Sequence, residues 1–155
     1  MALKYEPEQH REYLDMVERI SVRWIDMLRG NTDFYSAAYW DLLTRMWRSE
    51  RPVRKTDALG FMTGIRSAHT AGKYVETVIR EGMIVEAGNP EDGRSKLLEL
   101  SPAMRRRLDA FFDAAVDEVQ RSVRRMDDKE LRDRRTQQDQ GDQAASVPMR
   151  MRGAG

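Results

Sequence analysis

Two short stretches of the sequence concentrate side chains that could bind a polyanion. The first combines hydroxyl, imidazole and ammonium groups: Ser67, His69, Thr70 and Lys73. The second lies in a loop at 88–96 that is rich in turn-forming residues, and it carries Asp92, Arg94, Ser95 and Lys96. Basic side chains on a loop can reach phosphate oxygens, and Asp92 could orient the Arg94 guanidinium through a charge-assisted hydrogen bond. The alternative for both stretches is a polar surface that only faces water.

Several other chemistries are excluded by residue types that the chain lacks. It contains no cysteine and only two histidines, His10 and His69. The sequence therefore offers no thiolate zinc site, no cysteine nucleophile and no multi-histidine metal site. It also contains no phosphate-binding glycine loop and no convincing nucleophile–histidine–carboxylate pattern. We expect neither an enzyme nor a protein with a metal or cofactor.

Length and charge narrow the class of protein further. The chain has 155 residues, which is enough for one domain. Its formal net charge is only +1, but residues 51–107 contain 11 basic and 7 acidic side chains. This modest basic centre suits an acidic partner. Since no secretory signal and no apolar run near the roughly 20 residues of a membrane span is present, we expect a cytoplasmic protein without a membrane partner.

Hydrophobic periodicity and turn residues predict the elements that must position these side chains. Ser36 and Ser67 suit helix N-caps, and Gly82 suits a helix end. A helix pair followed directly by a β-hairpin is the pattern of a winged helix-turn-helix. The predicted fold is mainly α with a small β-hairpin (α+β), a winged helix-turn-helix flanked by N- and C-terminal dimerisation helices. Helices are predicted over 7–29, 36–49, 57–63 and 68–81, strands over 83–87 and 96–100, and a long helix from residue 102.

These elements predict a single domain over residues 1–127. The winged module occupies 36–101, and its wing is the loop at 88–96. The flanking helices, within 7–35 and 102–127, carry apolar stripes wider than one small module can cover. We therefore expect them to pair with a second copy of the chain.

The C-terminal segment has a different composition. From about residue 128 the sequence consists mostly of Asp, Arg, Gln, Gly and Ala. It offers too little apolar surface to offset the entropy lost on ordering. The segment 128–155 is therefore predicted to be a disordered polar tail.

Three motifs in the winged module together resemble the MarR (multiple antibiotic resistance regulator) family. They are the turn Gly82-Met83-Ile84, the wing sequence Asp92-Gly93-Arg94, and the strand Leu97–Ser101. The resemblance covers roughly residues 8–127 and is most specific over 56–108. One departure is Gly72, where the family often carries a larger side chain; close approach by a neighbouring helix or by DNA would explain it.

The resemblance implies sequence-specific binding of double-stranded DNA by a homodimeric transcriptional regulator. Repression is the simplest output, and a two-fold dimer implies a pseudo-palindromic operator with half-sites about 10 bp apart. The second helix of the pair would enter the major groove, while the wing would contact the minor groove or its phosphates. The expected DNA-binding residues are Arg54, Lys55, Arg66, Ser67, His69, Thr70, Lys73, Asp92, Arg94, Ser95 and Lys96.

The resemblance also implies a dimer interface and a site for a small aromatic effector. Aromatic side chains are concentrated in the first two helices and could form a cleft, although rings at helical spacing also suit a simple core. The expected effector-binding residues are Arg23, Trp24, Tyr39 and Trp40. The expected interface residues are Tyr13, Val17, Leu108, Phe111, Phe112 and Val119.

A different class of function remains open at the level of sequence. The same fold could serve as a winged-helix module that binds protein and senses no ligand. Salt dependence distinguishes the two functions, because DNA affinity falls steeply as the salt concentration rises, whereas a protein-binding module should bind no duplex.

Overall fold

The computed structural model describes residues 1–146, and it shows the predicted mainly helical chain with a small sheet. It forms two compact units, one of Arg19–Val116 and the other of Met1–Glu18 with the described residues from Asp117 onward. The elements in chain order are α1 (Pro7–Met27), a 3₁₀ turn (Thr32–Phe34), α2 (Ala37–Arg48), β1 (Val53–Arg54), α3 (Lys55–Leu59), α4 (Ala68–Arg80), β2 (Ile84–Gly88), β3 (Lys96–Leu100) and α5 (Pro102–Ala145).

The larger unit is a winged helix-turn-helix. Its helices pack against one face of an antiparallel sheet in the order β1-β3-β2. The central strand pairs on one side through Val53 with Leu98, and on the other through Glu86 with Leu98. Burial of apolar side chains from α2, α4 and the sheet excludes water from the centre of the unit and stabilises it. The fully buried members include Leu42, Leu43, Val75, Val78 and Leu98.

Serine caps begin both longer helices of the winged module, as the sequence predicts. The Ser36 hydroxyl accepts a hydrogen bond from the Tyr39 N–H of α2, and the Ser67 hydroxyl accepts one from the Thr70 N–H of α4, each at 3.4 Å. These bonds satisfy N–H groups that have no partner inside the helix. After α4 the chain reverses at Gly82, whose φ of +72° is readily adopted by glycine.

Besides shifts of one or two residues at the ends of α1, α2 and α4, three elements differ from the sequence prediction. The short helix spans Lys55–Leu59 rather than 57–63, because it begins directly after β1 and without a side-chain cap. The two-residue strand β1 was not predicted, since two residues carry no periodicity. β2 begins at Ile84 rather than Met83, because the Met83 N–H is bonded to the Val78 carbonyl and closes the last turn of α4.

The smaller unit pairs the start of α1 with the C-terminal part of α5 through charged groups. Glu12 accepts hydrogen bonds from the Ser122 hydroxyl at 2.9 Å and from the Arg125 guanidinium at 2.8 Å. Arg125 also pairs with Glu118 at 3.0 Å. Glu118 is only 5% exposed, so its carboxylate depends on such partners for compensation.

The prediction of a disordered tail from residue 128 is wrong for residues 128–145, which continue α5. The segment contains three Arg, four Gln and two Ala, which have good intrinsic helix propensity, and it extends an existing helix without a new nucleation step. Ion pairs of Lys129 with Glu8 and of Arg134 with Glu130 add support. The remaining predicted tail, 147–155, lies outside the described residues.

Among the helices within residues 1–146, none is both long enough and apolar enough to cross a lipid bilayer.

Candidate nucleic-acid interface

Helix α4 separates its buried and exposed residues cleanly. Ala71, Val75 and Val78 face the core. The other side of the helix forms a solvent-exposed stripe at helical spacing, which we call the α4 stripe: His69, Lys73, Glu76 and Arg80. Because the core contacts fix the rotation of the helix, the α4 stripe is held in one orientation relative to the module.

The residues at the start of α4 have two different roles. Ser67 uses its hydroxyl as the N-cap, so its main contribution is to the helix itself. Arg66, His69 and Thr70 are exposed beside it. An exposed first turn is the part of a helix that reaches base edges when a helix enters the major groove.

The wing loop is shaped by hydrogen bonds of its own polar residues. The Asp92 carboxylate accepts the backbone N–H of Arg94 at 3.0 Å, and the Asn89 side-chain amide donates to the Ser95 hydroxyl at 2.8 Å. The prediction that Asp92 holds the Arg94 guanidinium is therefore wrong, because its bond goes to the Arg94 backbone. The charged groups of Arg94 and Lys96 make no ion pair with any residue in 1–146, and both residues are exposed.

Lys55 and Arg54, the remaining predicted contacts, differ in environment. Arg54 is exposed on β1. Lys55 is not a free cation: its ammonium group lies 2.6 Å from a carboxylate oxygen of Glu76 on α4 and 2.6 Å from one of Glu86 on β2. Hydrogen bonds to Glu76 and Glu86 raise the pKa of Lys55 above its usual 10.5. Its predicted role as a phosphate contact therefore competes with two carboxylates.

The predicted effector residues are divided between core and surface. The Trp24 side chain is 3% exposed and packs edge-on against Trp40 and Phe111, with ring centroids 4.9 and 5.3 Å apart. Tyr39 is 8% exposed, and burial raises its pKa above 10.0. Neither ring presents free surface to a ligand, whereas Arg23 and Trp40 are exposed.

The predicted dimer residues divide in the same way. Leu108 and Phe111 are buried within their own chain, so they are not available to a partner. Phe112 is half-buried against Trp47. Exposed apolar side chains remain on α1 and α5: Tyr13, Leu14, Val17, Val116, Val119 and Val123.

Comparison with known proteins connects this geometry to a class of regulators. No protein-family model and no curated protein sequence matches the chain. Solved structures do match. A single-residue mutant of MepR from S. aureus, bound to an oligodeoxyribonucleotide, has 13% sequence identity and a TM-score of 0.57, covering 86% of this chain and 92% of that one.

Two further structures agree with this match. The transcriptional regulator Tm0710 from Thermotoga maritima is 16% identical, with a TM-score of 0.53 over 92% of this chain and all of its own. The PcaV transcriptional regulator from Streptomyces coelicolor is also 16% identical, with a TM-score of 0.50, covering 87% of this chain and 96% of that one.

At these identities the similarity concerns the fold. The chain has the MarR-type winged-helix fold, as the sequence resemblance implies. Two of these structural neighbours, Tm0710 and PcaV, are transcriptional regulators. Within the described residues, no group of three acidic or histidine side chains is placed to bind a metal ion.

Proposed function

We propose that this protein is a transcriptional regulator that binds double-stranded DNA, with α4 as its recognition helix and the loop 88–96 as its wing. The observation that carries the proposal is the α4 stripe, which the core holds outward next to a wing with two exposed cations. His69, Thr70 and Lys73 supply base-edge or phosphate contacts from the first turns of α4. Arg94 and Lys96 supply the wing contacts.

The DNA-bound MepR mutant supports the proposal through the shared fold.

The role that we propose for the polar residues Ser67, Asp92 and Ser95 differs from that of the cations. Their side chains bond within the module, so they shape the helix start and the wing loop and are not the main source of affinity. Arg54 and Arg66 add exposed positive charge at the edge of the surface.

The regulator acts as a homodimer in this proposal. Exposed valines on α5 and exposed apolar side chains on α1 offer surface for a second copy. Two recognition helices related by a two-fold axis would read a pseudo-palindromic site. Repression then follows from occlusion of a promoter by the bound dimer.

Binding of a small aromatic effector is a further part of the proposal. Its site contains fewer of the predicted residues, because Trp24 and Tyr39 are buried. Arg23 can pair with a carboxylate, and Trp40 exposes part of its ring. Saturable quenching of tryptophan fluorescence by aromatic acids, abolished by Trp40→Leu and Arg23→Met together, would support this site. Quenching that persists in the double variant would place the ligand elsewhere.

Selection of bound duplexes from random DNA tests the central proposal. We expect enriched sites with two-fold symmetry, and affinity by fluorescence anisotropy that falls steeply with rising salt concentration. A matched duplex with one half-site scrambled controls for non-specific binding. Failure to enrich any duplex at low salt would favour the protein-binding alternative.

A further inference from the structure

Lys55 joins two elements that approach DNA in the proposed complex. Its ammonium group contacts Glu76 on α4 and Glu86 on β2 at the same distance, 2.6 Å. The side chains of Lys55 and Glu86 are 29% and 30% exposed, so solvent screens this contact less than it screens a fully exposed pair; Glu76 is 58% exposed. One side chain therefore connects the recognition helix to a strand of the wing.

The position of Lys55 in the chain explains how it reaches both partners. It directly follows β1, and Glu86 lies on β2, at the opposite side of the central strand. Val53, Leu98 and Glu86 are in register across the three strands. Lys55 lies two residues beyond Val53, so its side chain crosses the central strand to reach Glu86, which is level with the fully buried Leu98.

The charges of the two partners give this contact a consequence for binding. Glu76 belongs to the α4 stripe, together with His69 and Lys73. Glu86 is a partly exposed carboxylate on the strand that leads into the wing. Without a cation between them, both carboxylates would repel each other and the phosphates of an approaching duplex.

We infer that Lys55 is a positioning residue for DNA binding, which holds the wing against the recognition helix through Glu76 and Glu86 and does not itself contact DNA. The inference rests on the proposed function. It replaces the sequence prediction, in which Lys55 contacts a phosphate directly.

A double-mutant cycle distinguishes positioning from direct contact. Lys55→Met should lower affinity for the selected duplex about tenfold in the otherwise unmodified protein. In a Glu76→Gln/Glu86→Gln background the same substitution should lower affinity less than about twofold, because no carboxylates remain to be neutralised. A direct phosphate contact predicts equal losses in both backgrounds, and that result would overturn the inference.

Two variants control the cycle. Arg94→Met removes a wing cation that has no carboxylate partner among the described residues. This substitution should lower DNA affinity by the same factor in both backgrounds. Lys55→Arg keeps a cation that can bond to both carboxylates, and it should retain most of the affinity. Loss of affinity in Lys55→Arg equal to that in Lys55→Met would contradict the positioning role.

A measurement without DNA keeps the inference separate from the proposed function. In hydrogen exchange, the amides of β2 and β3 should exchange several-fold faster in Lys55→Met than in the unmodified protein, while those of α2 remain unchanged. Unaltered exchange in the wing strands would overturn the inference even if the protein binds DNA as proposed. If the unmodified protein binds no duplex, the proposed function fails, and the exchange experiment still tests the link.

Discussion

The ring of Tyr39 on α2 meets the ring of Tyr74 on α4 edge-on, with their centroids 4.9 Å apart. The Thr77 side chain, one turn further along α4, acts on the Tyr39 hydroxyl and partly offsets the rise in its pKa that burial causes. Helix α4 is therefore held from the core side by an aromatic contact with Tyr39. This contact indicates that Tyr39 supports α4, whereas the sequence predicts that Tyr39 binds the effector.

Tyr39→Phe removes the hydroxyl and retains the ring contact. We expect the free energy of unfolding to fall by about 0.5–1.5 kcal/mol, the usual net value of one hydrogen bond. Urea unfolding at neutral pH measures the change. Tyr35→Phe, at an exposed tyrosine of the adjacent turn, is the matched control and should have little effect. Equal changes in both variants would show that the hydroxyl of Tyr39 does not stabilise the fold.

Two raised pKa values predict a loss of stability at high pH. Burial raises the pKa of Tyr39 above 10.0, and hydrogen bonds to Glu76 and Glu86 raise the pKa of Lys55 above 10.5. The folded state thus holds both protons more tightly than the unfolded state does. Their contribution is fully present below the unfolded pKa values and is lost as the pH rises through the folded ones.

We therefore expect the free energy of unfolding to decline above about pH 10, and to decline less in the Tyr39→Phe/Lys55→Met double variant. Urea titrations across the range from neutral to alkaline pH provide the measurement. Parallel pH profiles for the two proteins would show that other groups cause the decline.

Arg94→Met tests the wing. The Arg94 guanidinium makes no ion pair with the described residues, so its removal should affect DNA binding and leave stability unchanged. We expect weaker binding to most duplexes and a salt slope reduced by about one unit, as for a lost phosphate contact. Glu91→Gln, on the same loop, should not weaken binding. An unchanged slope would remove Arg94 from the interface.

Gly72 lies inside α4, where a side chain would meet open space. No neighbouring helix among the described residues approaches Gly72, so close approach by a helix, one of the two explanations that the sequence suggests for this glycine, is wrong. Gly72→Ala should stabilise the protein by about 0.5–1 kcal/mol, because alanine has the higher helix propensity. Gly82→Ala is the contrasting variant, since its φ of +72° strains a side chain and should destabilise the protein. Thermal unfolding of both variants provides the comparison.

Val119→Asp combined with Val123→Asp tests the dimer. Both valines are exposed on α5, and unpaired charges on an apolar interface would oppose association. We expect a monomer by sedimentation velocity at concentrations where the unmodified protein is a dimer. Ala110→Asp places one such charge at an exposed position on the opposite side of α5 and should leave the dimer intact. Phe111 is unsuitable for this test because it belongs to the core of its own chain.

Local signals predict much of the winged module. Strand β3 occupies the predicted residues. Helix α2 differs from prediction by one residue at each end and α4 by one residue at its C-terminal end, because the serine caps mark where the helices begin. The polar residues of the wing were also identified correctly as a turn-rich loop. These features depend on residues close together in the sequence.

The features that the sequence does not predict depend on contacts between residues far apart in the chain. Lys55 meets Glu86 31 residues away, and a sequence pattern shows only an available cation. Tyr39 and Trp24 resemble binding-site aromatics until their packing partners on α4 and α5 are known. In α5, the ion pair of Lys129 with Glu8 connects opposite ends of the described chain, and composition alone gives no sign of it.

The place of β2 in the sheet has a consequence for aggregation. It is an outer strand, bonded to β3 on one side, and such edges can recruit strands from other molecules. Val85 exposes apolar surface there. The charge of Glu86 on this strand discourages such pairing. The Glu86 carboxylate, which we propose orients the wing, thus also discourages the outer edge of β2 from pairing with a strand of another copy.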